Sequence, residues 1–457
     1  MSTLVYWVLR AVLRVALAVY FSRIELEGEE DVPEGPIVIA ATHPNAFIDV
    51  ALVGTRLRRR VHFVAKAGLF KNPIARVLLR ALGAVPVERR KDRDGAALEA
   101  DAQDKNARSL AACEEAVAHG GAVLIFPEGT SEQLSKLLPL KTGVARIALG
   151  AERMRERNGA GQQGVSIVPV SVRYDDPTSF RSRARVRFLP PIPVAPFAEM
   201  ADEPGAVRAL TGAVRDALEP TVVHVEDDAL AGIVKEVDEI YGHAVTPVVG
   251  ARLAAAPAIA LAVNAYAKTA PARVQEVKEK IARYRGALAA AGLDDSAVRP
   301  LNGHATIGQD VAIAFGLPVA AWGILHHWLP YQLPRIVAAA FVKDETFIST
   351  IKLATGTIVF IALYVLEGIA WSWFFGPLVG VLVACSLPIS GVVALEVIEA
   401  FKARGRRRRR RQLRARTKPE TLRELEGLRA AVVSELDRAR AEFLLSRDEP
   451  HPEDGLA

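Results

Sequence analysis

Between Leu353 and Leu395 the chain runs for 43 residues with a single acidic or basic side chain, Glu367. A soluble helix of that length would show a polar face at its own period, and none is present. Gly376-Pro377 divides the stretch into two runs of about 20 residues, each long enough to cross ~30 Å of hydrocarbon. Trp371, Trp373 and the phenylalanines beside the split suit the far interface. The stretch reads as a transmembrane hairpin at about 353–395, with a buried helical pair in a soluble core as the alternative. Its ends at Lys352 and Lys402 would share one side with the arginines Arg406–Arg411, which the positive-inside rule makes cytoplasmic. The segment 311–335 is weakened as a span by Pro318 and His326-His327. A third crossing would also part the arginines from the first half of the chain, so this segment is expected to be interfacial or re-entrant.

A chain of 457 residues can hold two to four domains. Its net charge of +6 is concentrated in blocks, notably Arg56 to Arg60 and Arg406 to Arg411. Such blocks meet phosphate, and the position of the second one directly after an apolar span favours anionic lipid headgroups over nucleic acid. Two cysteines, Cys113 and Cys385, are too few and too unlike in setting for a disulfide framework or a cysteine metal site. The opening "MSTLVYWVLRAVLRVALAVYF" lacks the basic start of a signal peptide, and Arg10 and Arg14 stand one turn apart on one face. Residues 1–24 therefore read as an interfacial helix whose arginines reach toward headgroups, or else as a buried terminal helix. Residues 200–305 are alanine-rich and helical. After the membrane region at 306–402, the segment 403–457 holds the arginines and an amphipathic helix marked by Leu422, Leu425, Leu428, Val432 and Leu436, docked on the body or paired with a partner. The last dozen residues read as a loose acidic tail.

Residues 25–199 have a different texture. "PIVIAAT", "VHFVAK", "GAVPVER", "GAVLIFPEG", "VSIVPVSVRY" and "ARVRFLPPIPV" are β-branched-rich runs bounded by Gly, Pro or charge. Helical patterns fall between them at 48–57, 73–82, 96–119 and 144–157. This alternation predicts an α/β fold, a mostly parallel sheet flanked by helices.

Chemistry gathers at the ends of three of these strands. In "ATHPNAFIDV", His43 and Asp49 would face apart on a uniform helix, about 240° around it. His43 instead ends a strand, and Pro44 holds it extended. A turn at Asn45 and a helix after it let Asp49 fold back onto one imidazole nitrogen, the relation of a general base to its orienting carboxylate. Alone, a histidine at a strand end is more often structural. "FPEGTS" ends another strand with Glu128 between proline and glycine, and Lys141 in "LLPLKTG" stands just before a helix, a natural anion site. Arg89 in "GAVPVERRKD" ends a third. A base between two cationic sites predicts a phosphorylated substrate acted on at a hydroxyl.

These blocks resemble the glycerolphosphate acyltransferase superfamily, which includes glycerol-3-phosphate and lysophosphatidic acid acyltransferases. The four blocks are His43 to Asp49; Gly83 with Arg89; Phe126 to Gly129 with Thr130, Ser131 and Lys141; and "IVPVSV" around Pro169. The resemblance covers about residues 25–195. Most of the superfamily places four residues between the histidine and the aspartate; this chain places five, as in the subgroup of glycerol-3-phosphate and dihydroxyacetone-phosphate acyltransferases.

The resemblance implies that His43 deprotonates the acceptor hydroxyl and that Asp49 orients His43. It implies that Arg89 and Lys141 hold the acceptor phosphate, that Glu128 and Gly129 shape the pocket, and that Asn45, Thr130, Ser131 and Pro169 belong to the substrate site. Acyl-CoA or acyl-carrier protein would be co-substrate, with no metal and no other cofactor. The expected protein is an integral membrane acyltransferase of phospholipid synthesis, with its catalytic domain on the cytoplasmic face and its oligomeric state open. A lysophosphatidate acyltransferase and a non-catalytic lipid-binding scaffold on the same fold are the alternatives.

Overall fold

The computed structural model describes residues 3–88, 99–131, 137–159, 163–223, 228–245, 252–299, 307–342 and 344–448. The chain forms two compact units, Met1–His224 with Val337–Ala354, and Val225–Ile336 with Thr355–Ala457.

The first unit opens with helix α1 (Thr3–Tyr20) and strands β1 (Arg23–Glu27) and β2 (Ile37–Ala41). Then come α2 (Ala46–Gly54), β3 (Val61–Lys66), α3 (Pro73–Ala81), β4 (Ala84–Val87), α4 (Glu99–Ala118), β5 (Ala122–Ile125) and α5 (Gly143–Arg157). It closes with β6 (Ser166–Tyr174), β7 (Arg183–Phe188), β8 (Ile192–Pro193), α6 (Ala195–Ala198) and α7 (Glu203–Leu218). The sheet runs β1-β7-β6-β2-β5-β3-β4, with β8 also on β6. All pairings are parallel except β6 with β7 and β6 with β8.

Strand alternation divides the core. Ile37, Ile39 and Ala41 of β2 face α1 and α2, while Val38 and Ala40 face α4, α5 and α7. β2 is buried on both faces, as the middle of a parallel sheet must be. The strand β1, "RIELE", is too charged to read as a strand from sequence. It lies at the sheet edge, where charge is tolerated, and Glu27 pairs with Arg185 of β7. Helix α7 lays Ala206, Leu210, Val214 and Leu218 on the sheet core, so the helical stretch 200–305 is split, its first helix belonging to the α/β unit.

Helix α1 docks on this unit by one face. Tyr6, Leu17 and Tyr20 are buried, and the Tyr6 hydroxyl accepts from Val61 N–H at 3.1 Å. Arg10 does not reach outward; its guanidinium donates to the carbonyls of Thr55, at 3.0 Å, and Leu57. Arg14 is exposed, as are Leu4, Val8 and Val15. Arg59, from the first basic block, is likewise drawn inward, onto the carbonyls of Glu34 and Gly35 at 2.8 and 2.5 Å and onto that of Gly120.

The second unit is helical: α8 (Asp228–Val245), α9 (Arg252–Thr269), α10 (Pro271–Ala290), α11 (Asp295–Val298), α12 (Ile307–Phe341), α13 (Ile348–Phe375), α14 (Pro377–Arg416) and α15 (Pro419–Asp448). Helices α12 and α13 each carry a few residues that belong to the first unit. Helix α15 is docked within its own unit. Leu425, Val432 and Leu436 are buried, Tyr241 donates to Asp437 at 2.6 Å, and Lys280 meets Glu435 at 2.8 Å.

Among the described residues three helical stretches are long and apolar enough to cross a membrane: Thr3–Tyr20, Glu345–Phe375 and Pro377–Arg416. The segment 311–335 makes no re-entrant loop. α12 continues through Pro318, Pro330 and Pro334, since a proline deletes one intrahelical bond without ending the helix where its neighbours hold it. Not every arginine of the second basic block is open to headgroups. Arg410 donates to Arg299 O at 3.2 Å, and Arg414, just beyond the block, to Ala297 O at 3.0 Å, capping α11. The acidic tail after 448 lies outside the described residues.

Candidate active site

The corner after β2 resolves the six-residue spacing. Asn45 is the N-cap of α2 with φ −145° and ψ 56°, and Ala46 follows at φ 38°, a left-handed value rare for a residue with a Cβ. That local strain re-aims the chain. Asp49 Oδ2 then lies 3.0 Å from His43 Nδ1 and accepts Asn45 N–H at 2.7 Å, the reach-back of a capping box moved one residue on. Its other oxygen accepts the Tyr174 hydroxyl at 2.5 Å. Burial, and then the charge of Asp49, push the Tyr174 pKa well above the usual phenol range, so its hydroxyl is a donor at any working pH. With three donors on Asp49, Nδ1 of His43 carries its proton toward the carboxylate and the Nε2 lone pair is left for chemistry. The His43 side chain keeps 10% of its surface exposed and that of Asp49 none. The imidazole lies flat on Phe126, centroids 3.8 Å apart and planes 16° from parallel.

Phe126 opens the second motif. Glu128 accepts His43 N–H at 3.2 Å through one oxygen and Leu138 N–H at 3.3 Å through the other, tying the histidine corner to the glutamate turn. Its pKa is raised because burial opposes the charge. The folded state therefore holds that proton more tightly than the unfolded chain. The stability from this group is full below the unfolded carboxylate range and fades as pH rises through the folded pKa. Gly129 sits at φ 71°, and a Cβ there would collide with Lys141 Nζ, Cε and Cδ, so only glycine lets the lysine lie across the turn. Lys141 N–H donates to Pro127 O at 2.7 Å, which fixes the start of that approach.

His43, Gly129, Thr130, Ser131 and Lys141 line one cavity of about 620 Å³. The size suits a small-molecule site. Its remaining wall is largely apolar, with Phe47, Val50, Phe63, Leu69 and Leu79 among its residues. Three expected site residues stand elsewhere. Asn45 is fully buried and spends its amide on Pro177 O at 2.8 Å. Pro169 sits inside β6 beside Ala40 and lends its carbonyl to Leu189 N–H at 2.9 Å. Glu128 acts from behind the wall, through its two backbone bonds. Arg89 lies outside the described residues.

Sequence reasoning missed Tyr174, although a signal existed. It ends the alternating run Val168, Val170, Val172 on the face of β6 that α2 covers. It also missed Asp344, Thr346 and Phe347, which line the cavity from just before α13. Nothing local distinguishes them. They arrive because Ser349 Oγ donates to Pro177 O, the Tyr20 hydroxyl donates to Ser349 Oγ at 2.8 Å, and Lys352 Nζ donates to Thr178 O at 2.8 Å.

Fold and site together define an α/β domain built around a carboxylate-held histidine that shares its cavity with a lysine. Residues 23–173 match the family described as Acyltransferase, and this domain belongs to the glycerolphosphate acyltransferase superfamily. The chain is 35% identical over 133 residues to Glycerol-3-phosphate O-acyltransferase 1 of Saccharomyces cerevisiae, covering 28% of this chain and 17% of that protein. It is 27% identical over 165 residues to a chloroplastic 1-acyl-sn-glycerol-3-phosphate acyltransferase of Brassica napus, covering 35% and 41%. The matches thus span less than half the length of these relatives. A crystal structure of the 1-acyl-sn-glycerophosphate acyltransferase of Thermotoga maritima aligns at a TM-score of 0.33 and 18% identity, over 46% of this chain and 78% of that one.

Proposed function

We propose that the chain is a membrane-bound O-acyltransferase that moves a fatty acyl group from acyl-CoA or acyl-carrier protein to the first hydroxyl of glycerol-3-phosphate, at the cytoplasmic face of a membrane. The observation that carries this reading is the His43 imidazole, held through Nδ1 by Asp49, in the same cavity as Lys141. Nε2 takes the proton of the acceptor hydroxyl as its oxygen attacks the thioester carbonyl. The tetrahedral oxyanion then collapses, the carbon–sulfur bond breaks, and the imidazolium returns the proton to the departing thiolate. A base so placed is worth about 10²–10⁴-fold in rate. Lys141, with Thr130 and Ser131, holds the acceptor phosphate. The thioester is already activated, so this step draws on no metal. The apolar wall suits the acyl chain, and the anionic headgroups that Arg406–Arg411 would meet suit a membrane-embedded enzyme.

The choice of glycerol-3-phosphate rests on the five residues between His43 and Asp49 and on the yeast relative; the Brassica relative favours lysophosphatidate as the second reading. Side-by-side acylation of labelled glycerol-3-phosphate, dihydroxyacetone phosphate and lysophosphatidate by the purified full chain separates the two. Glycerol-3-phosphate is expected to be the best acceptor. Exclusive use of the lyso-lipid would overturn the assignment.

A further inference from the structure

Helix α3 turns an apolar face outward from the α/β unit. Its start is firmly specified: Asn72 Oδ1 accepts Ile74 N–H at 2.9 Å and Ala75 N–H at 3.1 Å, and Pro73 occupies the first turn. Nothing in that start explains its surface. Ile74, Val77 and Leu78, at the spacing of one helical face, are 72%, 59% and 45% exposed, and Leu69 in the preceding turn is 42% exposed. Exposed lysine and arginine flank that face at Lys71 and Arg80. Leu79, on the adjoining side of the same helix, lines the catalytic cavity, and so does Leu69. Helix α3 therefore carries an open apolar face, basic edges and a direct connection to the site.

We propose that the segment Ala67–Ala81 is a membrane-docking element, lying in the plane of an anionic bilayer beside the catalytic cavity. Ile74, Val77, Leu78 and Leu69 enter the boundary between headgroups and acyl chains, while Lys71 and Arg80 meet the phosphates. The pattern fits lipid better than protein, because a helix in an interface needs this combination of large apolar residues on one face and basic residues at its edge. Since Leu69 belongs to both surfaces, a long-chain donor or a lipid product would pass between bilayer and cavity along this helix. That last consequence rests on the acyl-transfer reading; the docking itself does not.

The test uses the full chain reconstituted in vesicles. Cys113 is buried with its thiol pushed up to about 12, so Cys385→Ser alone gives a background that resists labelling. Ile74→Cys and Leu78→Cys carry an environment-sensitive fluorophore, and Arg76→Cys, on the opposite side of the helix, carries the control. Vesicles are phosphatidylcholine alone or mixed with phosphatidylglycerol, each with or without lipid bearing a quencher near the headgroup. Probes at 74 and 78 are expected to shift to the blue and to be quenched by the lipid, more strongly in the anionic vesicles, while the probe at 76 stays aqueous. Adding Lys71→Ala and Arg80→Ala should lower the lipid-contact fraction in anionic vesicles, by up to about fivefold per residue. A probe that stays aqueous overturns the proposal, and so does one that shifts without lipid quenching, because protein then covers the face. Loss of the acyl-transfer reading would leave the quenching intact. In an active enzyme, Ile74→Glu with Leu78→Glu should slow a long-chain donor and spare a short, water-soluble one.

Discussion

In the α/β unit His43 Nδ1 lies 3.0 Å from Asp49 Oδ2, and in the helical unit His326 Nδ1 lies 3.0 Å from Glu367 Oε1. The likeness extends outward. His43 lies on Phe126 with centroids 3.8 Å apart, and His326 lies against Trp322 at 4.1 Å. The second oxygen of Asp49 accepts the Tyr174 hydroxyl, and the second oxygen of Glu367 accepts Trp371 Nε1–H at 3.1 Å. What differs is the other imidazole nitrogen. His43 lines a cavity of about 620 Å³ with a lysine on its wall, whereas His326 Nε2 is buried and has no hydrogen-bond partner among the described residues. A histidine held by a carboxylate is therefore not yet a catalyst. In apolar helices the same pair satisfies two polar groups that would otherwise be costly, and joins α12 to α13. At the end of a strand, with cavity and cation supplied, it has the setting that the proposed base requires.

The sharpest way to break that comparison is to remove each imidazole. His43→Ala should lower turnover at least ~100-fold, since no other described group occupies the place of the base. His326→Ala should leave turnover within about threefold, in the range of a substitution remote from the chemistry. Initial rates of both variants in one lipid preparation decide it. Equal losses would mean that the pair in the helical unit takes part in the reaction.

A finer comparison concerns the aromatic donor behind each carboxylate. Tyr174→Phe keeps the ring in the core and deletes only the hydroxyl on Asp49. Turnover should fall about tenfold, the usual scale for a group that orients another, with little change in KM. The pH profile carries the diagnostic. With one donor fewer, Asp49 stabilises the imidazolium more strongly, so the acid limb should move to higher pH. An unmoved limb would reduce Tyr174 to a packing residue.

How far the sequence exposes these features depends on how local they are. The strands around His43 and Glu128 are legible because each is a short apolar run ending in a motif, and β3 covers the very residues expected of it, Val61–Lys66. The pairing of His43 with Asp49 is legible because only a break in the helix can bring those two together. For Tyr174 the alternation of β6 gives only the face it shares; its pairing with Asp49, 125 residues away, depends on the register of β6 on β2. The role of Asn45 is hidden for the same reason: its partner, Pro177, is brought in by the turn after β6. Charge misleads in its own way. Arg10, Arg59 and Arg410 read as headgroup or phosphate contacts, yet each donates to backbone carbonyls of the protein itself.

The smallest effect is expected at Glu367, and there the comparison becomes quantitative. Glu367→Gln keeps the shape of the side chain. Its carbonyl oxygen can still accept from Trp371 or from His326, but it no longer offers two carboxylate oxygens at once. Interhelical hydrogen bonds of this kind contribute about 0.6 kcal/mol on average and up to about 1.7 kcal/mol. A loss in that range lowers the melting temperature of a large domain by a few degrees at most. Thermal unfolding in detergent should show that small shift, with turnover and the acid limb of the pH profile unchanged. If Glu367→Gln instead moved the acid limb as Tyr174→Phe should, the carboxylate in the helices would be acting on the reacting imidazole, and the two histidine pairs would no longer be separate devices.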